Sequence, residues 1–205
     1  MPQEFLGALS GLRKAARRSE IRLEEIPAPS RLAPFAVALG AEVFTTGPIP
    51  PTLPSPVHGP ARTLLLRPEP EELATGRFIL LYDPAGSDVW SGRFRIVTYI
   101  RAQLEPDMGN DALLGSVAWT WLVDALENHG ARHHSAGGTA TRILSESYGT
   151  LDDRADTIDI ELRASWTPES SRVQRHLEAW TEMVCTFAGL PPLPHGVAHL
   201  PHRRS

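Results

Sequence analysis

The chain has 205 residues, of which 41% are hydrophobic and 21% charged, an ordinary composition for one globular domain with a sizeable core. Its net charge of −4 argues against general nucleic-acid binding, because nucleic-acid-binding proteins usually carry a basic excess. It contains no run of about 18 apolar residues and no basic-then-apolar secretory signal, so we expect a cytoplasmic protein without membrane contact.

Cys185 is the only cysteine, which excludes an internal disulfide and a cysteine-based zinc site. It lies in the apolar run of a predicted helix, where a free thiol usually behaves as a small hydrophobic side chain. A reactive thiol is the less favoured interpretation.

The predicted elements begin with a helix over Glu4–Arg18, where apolar residues recur at helical spacing. Ile21–Ile26 is typical of a short extended piece, and Pro27 ends it. Alternating apolar residues then predict a first long strand over Phe35–Val43.

Residues 45–75 contain eight prolines, many of them in GPIPPTLPSPVHGP. Proline lacks an amide proton, so such a stretch joins neither a sheet ladder nor a helix interior. We interpret it as an insertion in a single domain over 1–192, mobile at least over 45–60. A tolerated loop is favoured over a docking ligand for an aromatic-lined groove. Residues 193–205 are predicted to be a disordered tail.

Two strands, Arg77–Asp83 and Arg93–Leu104, are predicted on either side of a turn at Pro84–Ser87. In the second strand polarity alternates from residue to residue, which predicts a sheet with one buried and one wetter face. Val97 and Thr98 interrupt this alternation. The apolar set is Phe94, Ile96, Ile100, Ala102 and Leu104, and the polar set is Arg95, Tyr99, Arg101 and Gln103.

A central helix follows, with Asn110 or Asp111 as its N-cap and Gly130 as its stop. Trp119 and Trp121 lie roughly 200° apart around that helix. One of them must therefore approach the surface, a dimer seam or another element of the chain.

Strands over His133–Ile143 and Ile158–Trp166 come next, and the second alternates cleanly. The last helix begins near Ser171, where Gln174 is placed for a capping box, and it ends at Gly189. The order α-β-β-β-α-β-β-α predicts an α+β fold, with a mainly antiparallel five-stranded sheet and helices on one face.

Several segments together resemble the actinobacterial family catalogued as domain of unknown function 3000. They are RLAPFAVALGAEV, GRFILLYDPAG, WSGRFRIVTYIRAQLEP, IDIELRASWTP and AGLPP. The resemblance implies a bacterial cytoplasmic protein without an assigned activity, and it transfers no catalytic residue. The proline-rich insertion is expected to depart from the family pattern.

The order of elements is also similar to the type III secretion chaperone-like fold, which includes YbjN-type proteins. That similarity implies a protein that binds another protein and often forms a homodimer. A likeness of element order does not establish a function.

The wetter sheet face is the first candidate site. If the third and fifth strands are near neighbours, this face carries arginine and tyrosine, which are enriched at protein interfaces. Cross-strand charge pairs on a solvated face are the alternative explanation. The protein-binding candidates are Arg95, Tyr99, Arg101, Glu161 and Arg163.

Asp83, Asp88, Trp90 and Arg93 cluster around the predicted hairpin turn and could line a ligand pocket. Capping of the turn by the two carboxylates is the favoured alternative.

The sequence contains no glycine-rich phosphate loop, no G-x-S-x-G elbow and no H-E-x-x-H motif. Asp152, Asp153 and Asp156 form a D-D-x-x-D pattern, which we interpret as a solvated acidic turn because no second acidic motif faces it. We therefore predict no catalytic residue, metal site or cofactor. The favoured hypothesis is a non-enzymatic, chaperone-like adaptor with a protein partner, acting through its sheet face or a dimer seam. The alternative is an enzyme or metabolite-binding protein with a pocket at the 83–93 turn.

Overall fold

A computed structural model describes residues 1–45, 71–104 and 111–191 of the chain. Asn110, residues 46–70 of the proline-rich stretch and the predicted tail over 193–205 lie outside these ranges. The described helices are α1 (Gln3–Arg13), α2 (Leu114–Asn128) and α3 (Gln174–Phe187). The described strands are β1 (Ile21–Ile26), β2 (Phe35–Phe44), β3 (Glu72–Ser87), β4 (Gly92–Leu104), β5 (His133–Ser145) and β6 (Thr157–Pro168).

The strands form one antiparallel sheet in the order β1-β2-β3-β4-β6-β5. This confirms the predicted α+β class and the antiparallel sheet. The predicted number of five strands is wrong, because the described sheet has six. The additional strand is β1, which pairs with β2 from Ile21 opposite Val43 to Ile26 opposite Ala38. A segment of six residues is too short for its polar and apolar alternation to predict a strand, and it becomes a strand by pairing with β2.

Strand β3 is longer at both ends than the prediction. It begins at Glu72, inside the predicted insertion, and it continues through Pro84 to Ser87. The turn to β4 therefore lies at residues 88–91, where Ser91 has a φ of 53°. A register shift between Tyr82 and Ser87 accommodates the proline, since an irregular ladder does not need every amide.

Thr45 and Glu71 hold the two ends of the proline-rich stretch together. The Thr45 amide donates to the Glu71 carbonyl at 2.9 Å. The Glu71 amide donates to Thr45 Oγ1 at 3.1 Å. These bonds extend the β2–β3 pairing by one step.

The helices pack on one face of the sheet and enclose the core. Helix α3 lies over the centre, where the Trp180 ring is 5.5 Å from the Phe78 ring. A Cβ on Gly76 would stand 2.6 Å from Trp180 Cζ2, so glycine lets the indole rest on β3. Helix α1 adds Phe5, which stacks on Tyr82 with a centroid distance of 5.7 Å.

The two tryptophans of α2 both pack within the chain. Trp119 lies against Gly138 of β5, where an added Cβ would approach Trp119 Cζ3 to 2.8 Å. Trp121 meets Phe187 of α3 edge-on at 6.1 Å. Another element of the chain therefore accounts for each ring without a dimer seam.

The helix ends follow the predictions in part. Gly130 follows α2 with a φ of +60°, as a stop residue should. The predicted N-cap at Asp111 is wrong, because the N-cap of this helix is Leu113 and no side chain caps it. Asp111 accepts a hydrogen bond from the Leu113 amide before the helix begins. The predicted capping box at Ser171 and Gln174 does not form, because the N-cap of α3 is Val173 and no side chain caps it. Gln174 instead donates to Glu178.

Candidate binding face of the sheet

The face of the sheet opposite the helices, called the open face below, carries the predicted binding residues. Strands β4 and β6 are direct neighbours, with Tyr99 opposite Arg163 and Arg101 opposite Glu161. Because alternate residues share a face, Arg95 lies on the same side as these four. The structure thus brings all five predicted residues together.

Most charges on the open face are paired with each other. Glu161 is buried and accepts hydrogen bonds from the Tyr99 hydroxyl at 2.8 Å and from Arg163 Nη2 at 2.9 Å. Burial and the neighbouring Glu161 carboxylate raise the pKa of Tyr99. Arg101 forms a salt bridge with Asp159, which is also buried. Two cross-strand pairs, together with the Arg163–Glu161 pair within β6, therefore account for four of the five predicted residues.

Arg95 has no carboxylate partner in the described structure. It donates to Ser165 Oγ at 2.7 Å, to the Ser135 carbonyl at 2.8 Å and to Thr167 Oγ1 at 3.0 Å. Partial burial lowers the pKa of Arg95, since a desolvated guanidinium favours its charged form less. These neutral acceptors fix the side chain and leave its positive charge uncompensated.

A shallow depression of about 600 Å³ lies on the open face, and we call it the groove. Arg95 is next to it, since it donates to Ser165 of the lining. Ile79 and Val97 are directly opposite each other in the sheet and form part of its lining. The side chain of Arg77, opposite Tyr99, has no hydrogen bond or ion pair with any described residue. The lining also includes Tyr99, Gly137, Arg163 and Ser165.

The groove combines an apolar centre with a cationic rim. Arg163 lies over the Tyr99 ring, with its guanidinium carbon 5.7 Å from the ring centroid. With Arg77 and Arg95 nearby, the guanidinium groups outnumber the carboxylates of Asp159 and Glu161 around it. The sequence prediction missed Arg77 and Ile79, but Val97 was visible as the apolar residue that interrupts the polar set.

The four residues of the predicted pocket at the hairpin turn make separate contacts in the described structure. Asp83 accepts a hydrogen bond from the Ala85 amide, and Arg93 pairs with Glu4 of α1 at 3.2 Å. Asp88 is exposed, and the Trp90 carbonyl accepts a hydrogen bond from Thr167. None of these residues lines the groove or any of three further cavities among the described residues.

Other candidate groups offer little chemistry. Burial raises the pKa of Cys185 to about 11, so its thiol stays protonated and unreactive at neutral pH. Asp152, Asp153 and Asp156 are exposed between β5 and β6. Within the described ranges, no three His, Cys, Asp or Glu side chains are grouped to hold a metal ion. None of the described helices has the length and apolar character that a membrane crossing requires.

Comparison with known proteins gives one match. No curated protein and no solved structure matches the chain, so the likeness in element order to the secretion chaperone-like fold is not confirmed. A family model described as "Protein of unknown function (DUF3000)" matches residues 1–198, which include every segment that carried the family resemblance. The chain belongs to this DUF3000 family.

Proposed function

We propose that the protein is a non-enzymatic adaptor that binds a partner protein through the groove on the open face. The partner segment presents apolar side chains to Ile79 and Val97, and it presents carboxylates to the arginines of the rim. The observation that carries the proposal is the apolar centre of the groove beside two guanidinium groups, Arg77 and Arg95, that have no carboxylate partner.

The physical argument rests on what each group lacks. A guanidinium without an anion gains more from a partner's carboxylate than one that already has a salt bridge. Apolar side chains among charged ones gain from being covered, at about 25 cal/mol for each Å² removed from water. An acidic segment with apolar residues meets both needs, and arginine and tyrosine are frequent in protein interfaces.

A second copy of the chain is the other protein partner to consider. Its net charge of −4 is compatible with binding to a cationic groove. An enzymatic or metabolite-binding role at residues 83–93 has less support, because Asp83 and Arg93 are engaged by the turn and by α1.

Affinity capture with a tagged chain from lysate of the host cell tests the proposal. Arg77→Glu reverses one charge at the rim, where no described contact is lost. Arg17→Glu is the matched control, since Arg17 is exposed, makes no described ion pair and lies outside the groove. We expect one near-stoichiometric partner with the wild type and the control, and its loss with Arg77→Glu.

The captured partner is then purified and titrated against the three chains. In Arg77→Glu the new carboxylate faces the carboxylates of the partner. This repulsion should raise the dissociation constant by about tenfold or more. Light scattering identifies the case in which a second copy is the partner, since Arg77→Glu then abolishes the dimer and Arg17→Glu does not. Equal capture and equal affinity of all three chains would show that the groove is not the docking site.

A further inference from the structure

A second cavity lies on the helix side of the molecule, away from the open face. It has a volume of about 940 Å³ and is bounded by α1, the turn after α2 and the start of α3, and we call it the α3 cavity. Its size is within the range of small-molecule sites. Gly7 and Gly11 of α1 contribute no side chain to its wall, and a Cβ on Gly7 would have no neighbour within 4 Å.

The backbone at the start of α3 offers unsatisfied donors to this cavity. Helix α3 has 14 residues and no side-chain cap at Val173. The amides of His176 and Leu177 both donate to the Val173 carbonyl. The amides of Gln174 and Arg175 lie in the first turn, too close to Val173 to reach a helical carbonyl, and they have no described partner. They add the positive end of the helix dipole to the cavity wall.

His176 gives an independent indication of a ligand. It lines the cavity although only 3% of it is exposed. Its Nδ1 lies 3.0 Å from Trp166 Nε1, which can only donate, so Nδ1 must accept and the ring proton is on Nε2. That Nε2–H has no acceptor in the described structure. The ring therefore has one donor left, the Nε2–H, which is not fully buried and which no described protein group accepts.

The charged side chains around the cavity also favour an anionic ligand. Arg132 is paired with Glu169 at 2.8 Å, and Glu178 accepts hydrogen bonds from the Ala16 amide and from Gln174. Arg172 and Arg175 also line the cavity, and neither has a carboxylate partner in the described ranges. Glu178 has only neutral donors, so with the Arg132–Glu169 pair balanced the two arginines leave the lining with a net charge of +1.

Gly130 makes room for one of these two guanidinium groups. A Cβ at Gly130 would stand 2.8 Å from Arg175 Nη1, so any other residue there would displace the side chain. Because Gly130 lines the cavity as well, Arg175 lies against its wall.

We propose that the α3 cavity binds the phosphate group of a small phosphorylated metabolite. Two guanidinium groups without a carboxylate partner can bind the oxygens of the phosphate in pairs. Two backbone amides and the Nε2–H of His176 supply neutral donors for the remaining oxygens. The volume exceeds that of a phosphate ion severalfold, and the space beside Gly7 and Gly11 accommodates the organic part.

An NMR titration of the labelled full-length chain with inorganic phosphate, and then with glycerol phosphate, tests this site. Sodium sulfate and sodium chloride at matched ionic strength serve as references. We expect saturable shifts at the Gln174 and Arg175 amides and at the His176 ring. Glycerol phosphate should bind more tightly than phosphate, because it also contacts the glycine-lined wall.

Three variants decide whether the cavity is responsible. Arg172→Gln and Arg175→Gln each remove one guanidinium from an exposed position, and each should weaken phosphate binding by about tenfold. Arg17→Gln is the control and should bind like the wild type. Shifts that do not saturate, that chloride reproduces, or that Arg17→Gln reduces as much as the other two would overturn the proposal. The result does not depend on the open face, because Arg172 and Arg175 lie on the other side of the sheet.

Discussion

The two faces of the sheet use the same strands in opposite ways. On the covered face, Phe78 and Ile96 lie under helices and are fully buried. On the open face, their neighbours Arg77 and Val97 line a groove that no described element covers. Adjacent residues of one strand therefore belong to different environments, because successive side chains of a strand point to opposite sides. The covered face therefore belongs to the packed core, and the groove on the open face does not.

The strongest test of this contrast compares Phe78→Ala with Ile79→Ala. Phe78 is fully buried beneath Trp180, so its truncation leaves a cavity and should lower the free energy of unfolding by about 3–5 kcal/mol. Ile79 is only partly buried, and its truncation should cost about 1 kcal/mol. Chemical denaturation measures both. Equal losses would mean that the open face is also part of a packed core.

Two glycines give a second test in which a methyl group is added. In Gly76→Ala the new Cβ meets Trp180 Cζ2 at 2.6 Å and the Tyr99 carbonyl at 3.0 Å, so overpacking should cost about 1–3 kcal/mol. Gly137 on the open side of β5 has no atom within 4 Å of such a Cβ. Gly137→Ala should therefore change stability by less than about 1 kcal/mol, with a gain the expected sign. Thermal unfolding of the two variants distinguishes them, and a larger loss in Gly137→Ala would contradict the contrast.

Ion pairs on the open face should differ according to their burial. Arg101→Met leaves the Asp159 carboxylate without its cation, and because only 13% of that side chain is exposed, we expect a loss of about 1–2 kcal/mol. Arg22→Met breaks a pair with Glu42 at 3.7 Å in which Arg22 is 69% exposed, so its loss should stay below about 0.5 kcal/mol. Urea denaturation of both variants measures the difference. Similar losses would show that the Asp159 pair is as solvated as the outer one.

The smallest effect concerns acid, at an ion pair away from the open face. A hydrogen bond from Arg18 lowers the pKa of Glu20 from 4.5 to about 2 in the folded state. The folded state therefore favours the carboxylate, and its contribution is full above the unfolded pKa of 4.5 and lost as pH falls toward 2. Near neutral pH the free energy of unfolding of the wild type should exceed that of Glu20→Gln by about 1 kcal/mol or less. This difference in stability, measured by denaturation at several pH values, should disappear at low pH. A difference that grows on acidification would mean that folding raises the pKa of Glu20 instead of lowering it.

The sequence predicted best what depends on local alternation. The period of two in Arg93–Leu104 and Ile158–Trp166 predicted one polar face on each strand. The structure makes the two strands neighbours and pairs Tyr99 with Arg163. Ile21–Ile26 was predicted as an extended piece but not counted as a strand of the sheet, because it joins the sheet only by pairing with β2, a segment separated from it in the sequence. The end of β3 was misplaced because Pro84 usually indicates a turn, whereas the ladder here passes it with a shift of register.

The groove and the α3 cavity could be predicted less well, for the same physical reason. Arg77 is a candidate binding residue because its side chain forms no ion pair with a described residue. The absence of a partner cannot be seen in a sequence. His176 carries its ring proton on Nε2 only because Trp166 donates to Nδ1. Arg175 comes to the cavity wall past Gly130, from which it is separated by two strands. Such sites depend on contacts among several elements and form no short motif.

Strand β5 is paired with β6 on one side, and no described strand lies on its other side. In an antiparallel edge strand, alternate amides point into the sheet and the others point outward. Neighbouring residues of β5 should therefore exchange their amide protons on very different timescales, the inward set slowly and the outward set almost as fast as an unfolded chain. The strand contains its own internal reference: any molecule that covers this edge slows only the outward set, and the inward set reports whether the sheet itself has changed.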